Sequence, residues 1–582
     1  MICRHSPTYR LAIVLLALLF GSAVCAEQLL IEIDGLNDEL EAAARANLEL
    51  QQYLDRDTHP SELQRLMERG QEEIARGLEP YGYYHVQVRG ELEPSDDRIV
   101  ARYRVTLGEQ VFVRERDVTV DGPGGQLPEV RRAIDRFQPA VGEALQHGLY
   151  EDSKALIGAA LQTNGYFDAE LKRHRVEVTR ASRRATIDLN WQSGERYRIG
   201  DVRFDDVQFP PAFLQRYIPW EPGAPYDIDQ LLTLQQRLVD ADYFATVSVQ
   251  PALEQRVDGA VPVNVLLVPA KRTVYTASAF VSTDAGPGAR LGVERRWLNR
   301  RGHKAGGQVE YSARLEDYTA YYRIPWPGRQ SRLFSFAGGY RDEQTDSSRS
   351  RLMRLSAIES IDDWRGYART LGLQFLNGDF TIADEQRSSR LLYAEANLGR
   401  KRANDLVFPS RGLSVTYTAR AAAEAVLSDT NLLQLRADAK WIQPASDRSR
   451  LIVRASLGAL AAGDFDALPP ELRFFAGGDR SVRGFDYQQI GERNATGGVI
   501  GGRYLAVASA EFEYYFLEKW GAAVFVDAGD AFKTDLNANI GAGIGLRWKS
   551  PVGIVRVDLG VPVETDLPDD GLRIHLMIGP DL

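Results

Sequence analysis

The sequence predicts an α+β arm of three repeated modules followed by a 16-stranded antiparallel transmembrane β-barrel. Three observations carry this. An aromatic-pair turn recurs three times before residue 270. From Thr273 onward apolar and polar residues alternate with period two. The breaks between these alternating segments read as short and long in turn.

At 582 residues the chain exceeds what one hydrophobic core accommodates. Its 70 Lys and Arg stand against 80 Asp and Glu, and no basic domain or arginine cluster points to nucleic acid. Residues 1–26 read as an export signal. Arg4 and Arg10 precede the apolar run Leu11 to Phe20, and Val24-Cys25-Ala26 offers a cleavage site before Glu27. The run is short for a spanning helix. Lipidation of Cys25 is the alternative, disfavoured by Val24 before it. Both cysteines, Cys3 and Cys25, fall in this segment, so the mature chain is expected to form no disulfide and to use no thiol chemistry. After residue 26 no apolar run is long enough for a spanning helix, which leaves a soluble protein or a β-barrel.

The arm repeats. Leu78 to Val88, Leu161 to Leu171 and Leu238 to Val249 each carry a helix-borne Leu, then a Gly or Asp turn, then an aromatic pair opening a strand. A second echo pairs Gly108-Glu109 with Gly194-Glu195, and a third pairs Val141-Gly142 to Leu145 with Pro222-Gly223 to Tyr226. The unit is strand, helix, helix, strand, strand, and three copies fit at 27–107, 108–194 and 195–270. The repeated aromatics are expected to anchor cores, leaving the sheet edges free to add a strand. This triplet resembles the POTRA domains of the BamA/TamA outer-membrane superfamily.

Residues 271–582 form the barrel. Leu433, Leu435, Ala437, Ala439 and Trp441 alternate with polar neighbours, as do Val555, Val557, Leu559 and Val561 with Arg556 and Asp558. Sixteen such segments run from 272–283 to 571–580, near the length a tilted spanning strand needs. Turns at Trp326-Pro327-Gly328, Phe408-Pro409-Ser410, Pro444-Ala445-Ser446 and Ser550-Pro551 read as tight. Those at Arg341 to Ser348, Gly378 to Gln386, Asp530 to Ala538 and Glu564 to Asp570 read as long. This asymmetry separates a membrane barrel from a soluble sandwich. Tyr321, Tyr322, Trp326, Trp441, Tyr514, Tyr515 and Trp520 are expected in the interfacial girdles.

The longest break, about 463–501, follows the eleventh segment and contains Arg473-Phe-Phe-Ala-Gly-Gly-Asp-Arg-Ser-Val482-Arg483-Gly484-Phe485. Parity puts Glu511 and Glu513 on one face of the next strand, and Asp527 with Phe525 on one face of the strand after it. Lumen-facing acids need a cation, and Arg483 offers a fork. The Val-Arg-Gly-Phe tip, Gly501 to Phe512 and Phe525-Val-Asp527-Ala-Gly529 are similar to the superfamily's sixth outer loop and its next two strands. That resemblance implies that Val482, Arg483, Gly484 and Phe485 fold into the lumen toward Glu511 and Asp527, as a latch rather than a catalytic group.

The last segment turns Leu572, Ile574, Leu576 and Ile578 to one face and ends Gly579-Pro580. Pro580 cannot donate to a ladder, so a weak lateral seam is expected between Val274 and Tyr275 at the start and Ile574, Leu576, Ile578, Gly579 and Pro580 at the end. The ending and the three-domain arm are most similar to the TamA branch of the superfamily.

Gly541-Ala-Gly543-Ile-Gly545 lies inside a strand and reads as close strand packing rather than a nucleotide loop. The 7 His residues show no metal-ligand spacing, and no nucleophile motif has a partner, so neither an enzyme nor a cofactor or metal is expected. The resemblance implies an outer-membrane factor that inserts or secretes β-rich clients such as autotransporters. It also implies a TamB-like inner-membrane-anchored partner, unfolded outer-membrane clients and outer-membrane lipid as the things it meets. A secretion or diffusion channel, or the end of a phospholipid conduit, is the alternative.

Overall fold

The sequence builds its first module from ordinary local signals. Strand β1 (Gln28–Asp34) leads to helix α1 (Asp38–Ala46), whose Asn37 side chain caps the Leu40 N–H. Helix α2 (Pro60–Leu78) starts on a proline and buries Leu63, Leu66, Met67, Ile74 and Leu78, spaced for one face. Strands β2 (Gln87–Ser95) and β3 (Arg98–Thr106) complete it, with Ala101, Tyr103 and Val105 of β3 turned into the core. The structure is a computed structural model that describes residues 28–579 except 55, 57, 96–97, 328–331, 406, 552 and 568–570. The predicted export signal and Pro580 lie outside the described residues.

The pattern recurs. The second copy has β4 (Phe112–Asp121), α3 (Pro128–Asp135), α4 (His147–Thr163), β5 (Glu170–Thr179) and β6 (Arg184–Gln192). The third has β7 (Arg198–Phe204), a short α5 (Pro211–Leu214), α6 (Ile228–Asp240), β8 (Phe244–Pro251) and β9 (Ala260–Pro269). Each forms a 3-stranded sheet with the last strand in the middle, in the orders β1-β3-β2, β4-β6-β5 and β7-β9-β8. In the first two sheets the opening strand runs parallel to the central one, and the other strand runs antiparallel. Compact packing divides the chain within the third module, whose residues 202–221, 230–250 and 264 onward group with the barrel.

The three sequence echoes meet in space. Gly82, in the turn of the first copy, accepts the Val111 N–H at 2.9 Å, and Val111 accepts the Leu145 N–H at 2.8 Å. One module on, Gly165 accepts from Tyr197 and Tyr197 from Tyr226, both at 2.9 Å. Gly82, Gly165 and Asp242 all have left-handed φ, at 87°, 86° and 59°. A Cβ on Gly82 would lie 2.7 Å from the Leu145 carbonyl oxygen, so this socket excludes a side chain. The aromatic pairs are core anchors only in part. Tyr166 and Tyr243 are buried in this way, but the Tyr84 hydroxyl reaches His147 of the second module at 2.8 Å. Phe167 packs edge-on against Tyr197 and Tyr226. The Tyr243 hydroxyl donates to the Gly302 carbonyl at 2.5 Å, and Arg296 bonds Asp242 at 2.8 Å. Each turn therefore also anchors the next segment of the chain.

Sixteen strands then form one sheet, every neighbour antiparallel. They are β10 (Thr273–Ser282), β11 (Gly286–Arg295), β12 (Lys304–Ser312), β13 (Leu315–Trp326), β14 (Arg332–Gln344) and β15 (Ser348–Trp364). Next come β16 (Tyr367–Ile382), β17 (Glu385–Ala403), β18 (Gly412–Ala422), β19 (Leu432–Ser446) and β20 (Ser449–Ala462). The last five are β21 (Tyr504–Tyr514), β22 (Trp520–Phe532), β23 (Asn539–Ser550), β24 (Gly553–Glu564) and β25 (Arg573–Gly579). All sixteen expected segments are strands. Alternation follows the pleat: in β22 Val524 and Val526 face outward, while Phe525 and Asp527 are buried.

Three expectations fail. The turns expected to be long at Arg341 to Ser348 and Gly378 to Gln386 are short, because β14 to β17 extend further and close at 345–347 and 383–384. Ala383 and Asp384 take positive φ, 46° and 71°, as a two-residue hairpin turn requires. Polar residues there decorate strand ends rather than loops. Conversely, the connection around Phe408-Pro409-Ser410 spans 404–411 and is not tight. The aromatic girdle is also smaller than expected. Tyr321 points inward and bonds Glu294 at 2.6 Å, and Tyr515 is buried against Phe408. Period two forbids Tyr321 and Tyr322 from sharing a face.

Candidate functional site: a loop held inside the barrel

The segment between β20 and β21 folds back on itself. Antiparallel bridges Phe474 to Gly502 and Ala476 to Ile490 narrow it into a finger. Leu468, Leu472, Phe474, Val482, Phe485 and Ile490 of the finger are buried with wall residues Leu352, Leu376, Leu391, Leu432, Leu460 and Leu505. Apolar burial thus draws the loop inward. Gly477, Gly478 and Gly484 have φ of 99°, 101° and 96°, which lets the chain reverse beside Val482 and Arg483.

Arg483 ends in a set of acids. Its Nε donates to Asp527 Oδ2 at 2.7 Å and its Nη2 to Asp527 Oδ1 at 3.0 Å. Its Nη1 donates to Glu511 Oε2 at 2.6 Å and to Asp558 Oδ2 at 2.9 Å. The Arg483 main-chain N–H adds a bond to Asp527 Oδ2 at 3.0 Å. The guanidinium lies 3.5 Å from the centre of the Phe525 ring. A second cation, Arg547, bonds Glu511 at 2.7 Å and Glu513 at 2.9 Å and also pairs with Asp558. Arg450 closes the far side on Glu513 at 2.6 Å. Arg483, Arg547, Glu513 and Asp527 are each 3% exposed or less, so every charge depends on its neighbours. Each of these carboxylates is held by a guanidinium, and the arrangement is suited to fixing position.

The structure places the Val482, Arg483, Gly484 and Phe485 tip against Glu511 and Asp527. It adds Asp558, Arg547 and Phe525. Asp558 was visible as a polar-face residue of its strand, but nothing in one sequence says that β24 lies within reach of the tip. The Gly541-Ala-Gly543-Ile-Gly545 run gains a reason: a Cβ on Gly541 would overlap the Arg483 carbonyl oxygen, and one on Gly560 would sit 2.8 Å from the Gly484 nitrogen. These glycines make the groove in which the tip lies.

At the seam, Tyr275, Ile574 and Ile578 are exposed. Val274 pairs with Glu294 of β11, and Gly579 pairs with Ile554 of β24. No ladder joins β25 to β10 among the described residues. Leu576 instead meets Thr283, in the turn after β10.

An Omp85 superfamily domain model matches residues 298–581. Residues 30–107 match a POTRA domain model described as TamA domain 1, and residues 197–269 match the surface antigen variable number repeat. The chain belongs to the Omp85 superfamily. Its fold is similar to that of BamA from Haemophilus ducreyi lacking POTRA domains 1–3, with a TM-score of 0.65 and 16% identity, over 81% of this chain and 99% of that one. The outer membrane protein assembly factor BamA of Nitratidesulfovibrio vulgaris is 30% identical over 116 residues, which are 18% of this chain and 15% of that protein. The chain thus spans only a small part of that relative's length. Within the Omp85 frame, the three sheets are POTRA-like and the finger is the barrel's inward loop.

Proposed function

We propose that this Omp85 protein sits in the outer membrane, with its POTRA arm in the periplasm, and inserts or secretes β-rich clients such as autotransporters without a catalytic step. The observation that carries this is the seam: β10 and β25 end the 16-stranded sheet with no ladder between them among the described residues. Two sheet edges that no ladder joins favour the addition of a client strand. Superfamily membership supports an assembly or secretion role, and the TamA-type match of the first module supports a TamB-like periplasm-spanning partner. The arm's edge strands offer that partner, or an unfolded client, a place to pair. Exposed Tyr275, Ile574 and Ile578 at the seam favour contact with outer-membrane lipid.

The test is a seam lock. Cysteines at Thr283 and Leu576, oxidised in the membrane, should stop client insertion, and reduction should restore it. A photo-crosslinker at Ile578 should capture a client strand. Undiminished insertion through the locked barrel would overturn the proposal. A freely conducting channel is opposed by the buried finger, so planar bilayers should show no large steady conductance.

A further inference from the structure

We propose that Asp479 is a clamp that couples the position of the inward loop to closure of the seam between β10 and β25. Where the ladder is missing, a side-chain chain stands in for it. The Leu576 N–H of β25 donates to Thr283 Oγ1 at 2.8 Å, and the Thr283 N–H approaches the Leu576 carbonyl at 3.4 Å. The Thr283 hydroxyl then donates to Asp479 Oδ1 at 2.7 Å. His575, the neighbour of Leu576, places Nδ1 at 2.8 Å from that same oxygen. One loop carboxylate oxygen is therefore shared by a donor from each side of the seam.

The other ends of these bonds return to the loop. His575 Nε2 accepts the Gly484 N–H at 2.9 Å, beside the Arg483 tip. That bond puts the ring proton on Nδ1, aimed at Asp479. The Asp479 N–H donates to Asp284 at 3.1 and 3.2 Å. Arg573 of β25 also pairs with Asp486 of the loop. Gly478 keeps this turn tight, since a Cβ there would lie 2.8 Å from Asp284 Oδ1.

Asp479 is 3% exposed and His575 5%, so neither tolerates the loss of its partner. Withdrawing the loop strips Thr283 and His575 of their acceptor. Moving β25 away strips Asp479 of its His575 donor and Gly484 of its acceptor. The coupling is reciprocal by thermodynamic necessity. Loop release and seam opening therefore favour each other.

The test uses the full chain in lipid nanodiscs, with two readouts on the same sample. One is the labelling rate of a reporter cysteine at Ser481 by a bulky maleimide, and the other is amide exchange in 573–579. Asp479→Ala should raise both about tenfold or more, the scale of a lost charged hydrogen bond. Thr283→Val, which deletes a single hydroxyl and leaves the loop sequence intact, should raise exchange in β25 and labelling at Ser481, and Thr283→Ser should restore both. Arg483→Ala should free the loop and raise β25 exchange with it. Fast labelling in Arg483→Ala with unchanged β25 exchange, or unchanged exchange in Thr283→Val, would overturn the clamp.

Discussion

Arg483 and Asp527 are joined three times: by Nε at 2.7 Å, by Nη2 at 3.0 Å and by the main-chain N–H at 3.0 Å. The carboxylate thus reads both the side chain and the backbone of the loop tip. A lysine could supply charge but neither the planar fork nor its fixed orientation.

Arg483→Ala should leave a folded barrel with a displaced loop. Removing one partner of a buried pair costs about 3–5 kcal/mol, and the freed acids favour water over burial. Limited proteolysis should cut within 463–503, and client insertion should fall. Arg483→Lys should sit between the two, since it keeps charge but loses the bidentate bond.

Gly541→Val tests the groove without touching a charge. Its side chain would occupy the space of the Arg483 carbonyl. The tip should be expelled, and the protease pattern should match that of Arg483→Ala. An unchanged pattern would show that the tip is held by charge alone.

Tyr243→Phe removes the hydroxyl that binds the Gly302 carbonyl at 2.5 Å. The ring stays packed against Phe209 and Phe213. A loss of about 1–2 kcal/mol is expected from the orphaned buried carbonyl, read as a lower thermal midpoint.

Asp284 makes the seam region sensitive to pH. Burial first, and then the Asp479 carboxylate, push its carboxyl up to about 6, against the opposing pull of its bond from the Asp479 N–H, of His575 and of Arg314. The native state therefore binds this proton more tightly than the unfolded chain does. The unfavourable contribution is complete above pH 6 and is relieved as pH falls from about 6 toward the ordinary carboxyl value of 3.8. Wild type should gain stability relative to Asp284→Asn over that window, measured as the difference in midpoint between the two proteins. A difference independent of pH would exclude the effect.

Much of the fold was legible because its periods are short. Alternation located all sixteen barrel strands, and a recurrent turn located the three arm modules, since both signals lie within a few residues of themselves. Polarity at a strand end imitates a loop, as β14 to β17 show. Gln344, Arg349 and Thr381 lie on strands whose ends continue past the apolar band. Hydrophilicity there reports solvent and not chain reversal.

By itself, the sequence determined which residues share a face: Glu511 with Glu513, Asp527 with Phe525, and Asp558 opposite Val557. It also marked Val482-Arg483-Gly484-Phe485 as a tip. Only the tertiary structure decided that Asp558, three strands from Glu511, closes on the same guanidinium. It alone decided that Gly541 is a groove and that Asp479 lies between Thr283 and His575. The hydrogen bonds among them join positions from 75 to 196 residues apart. Their separations follow from barrel closure and loop folding, which bring distant faces together and leave no period in the chain.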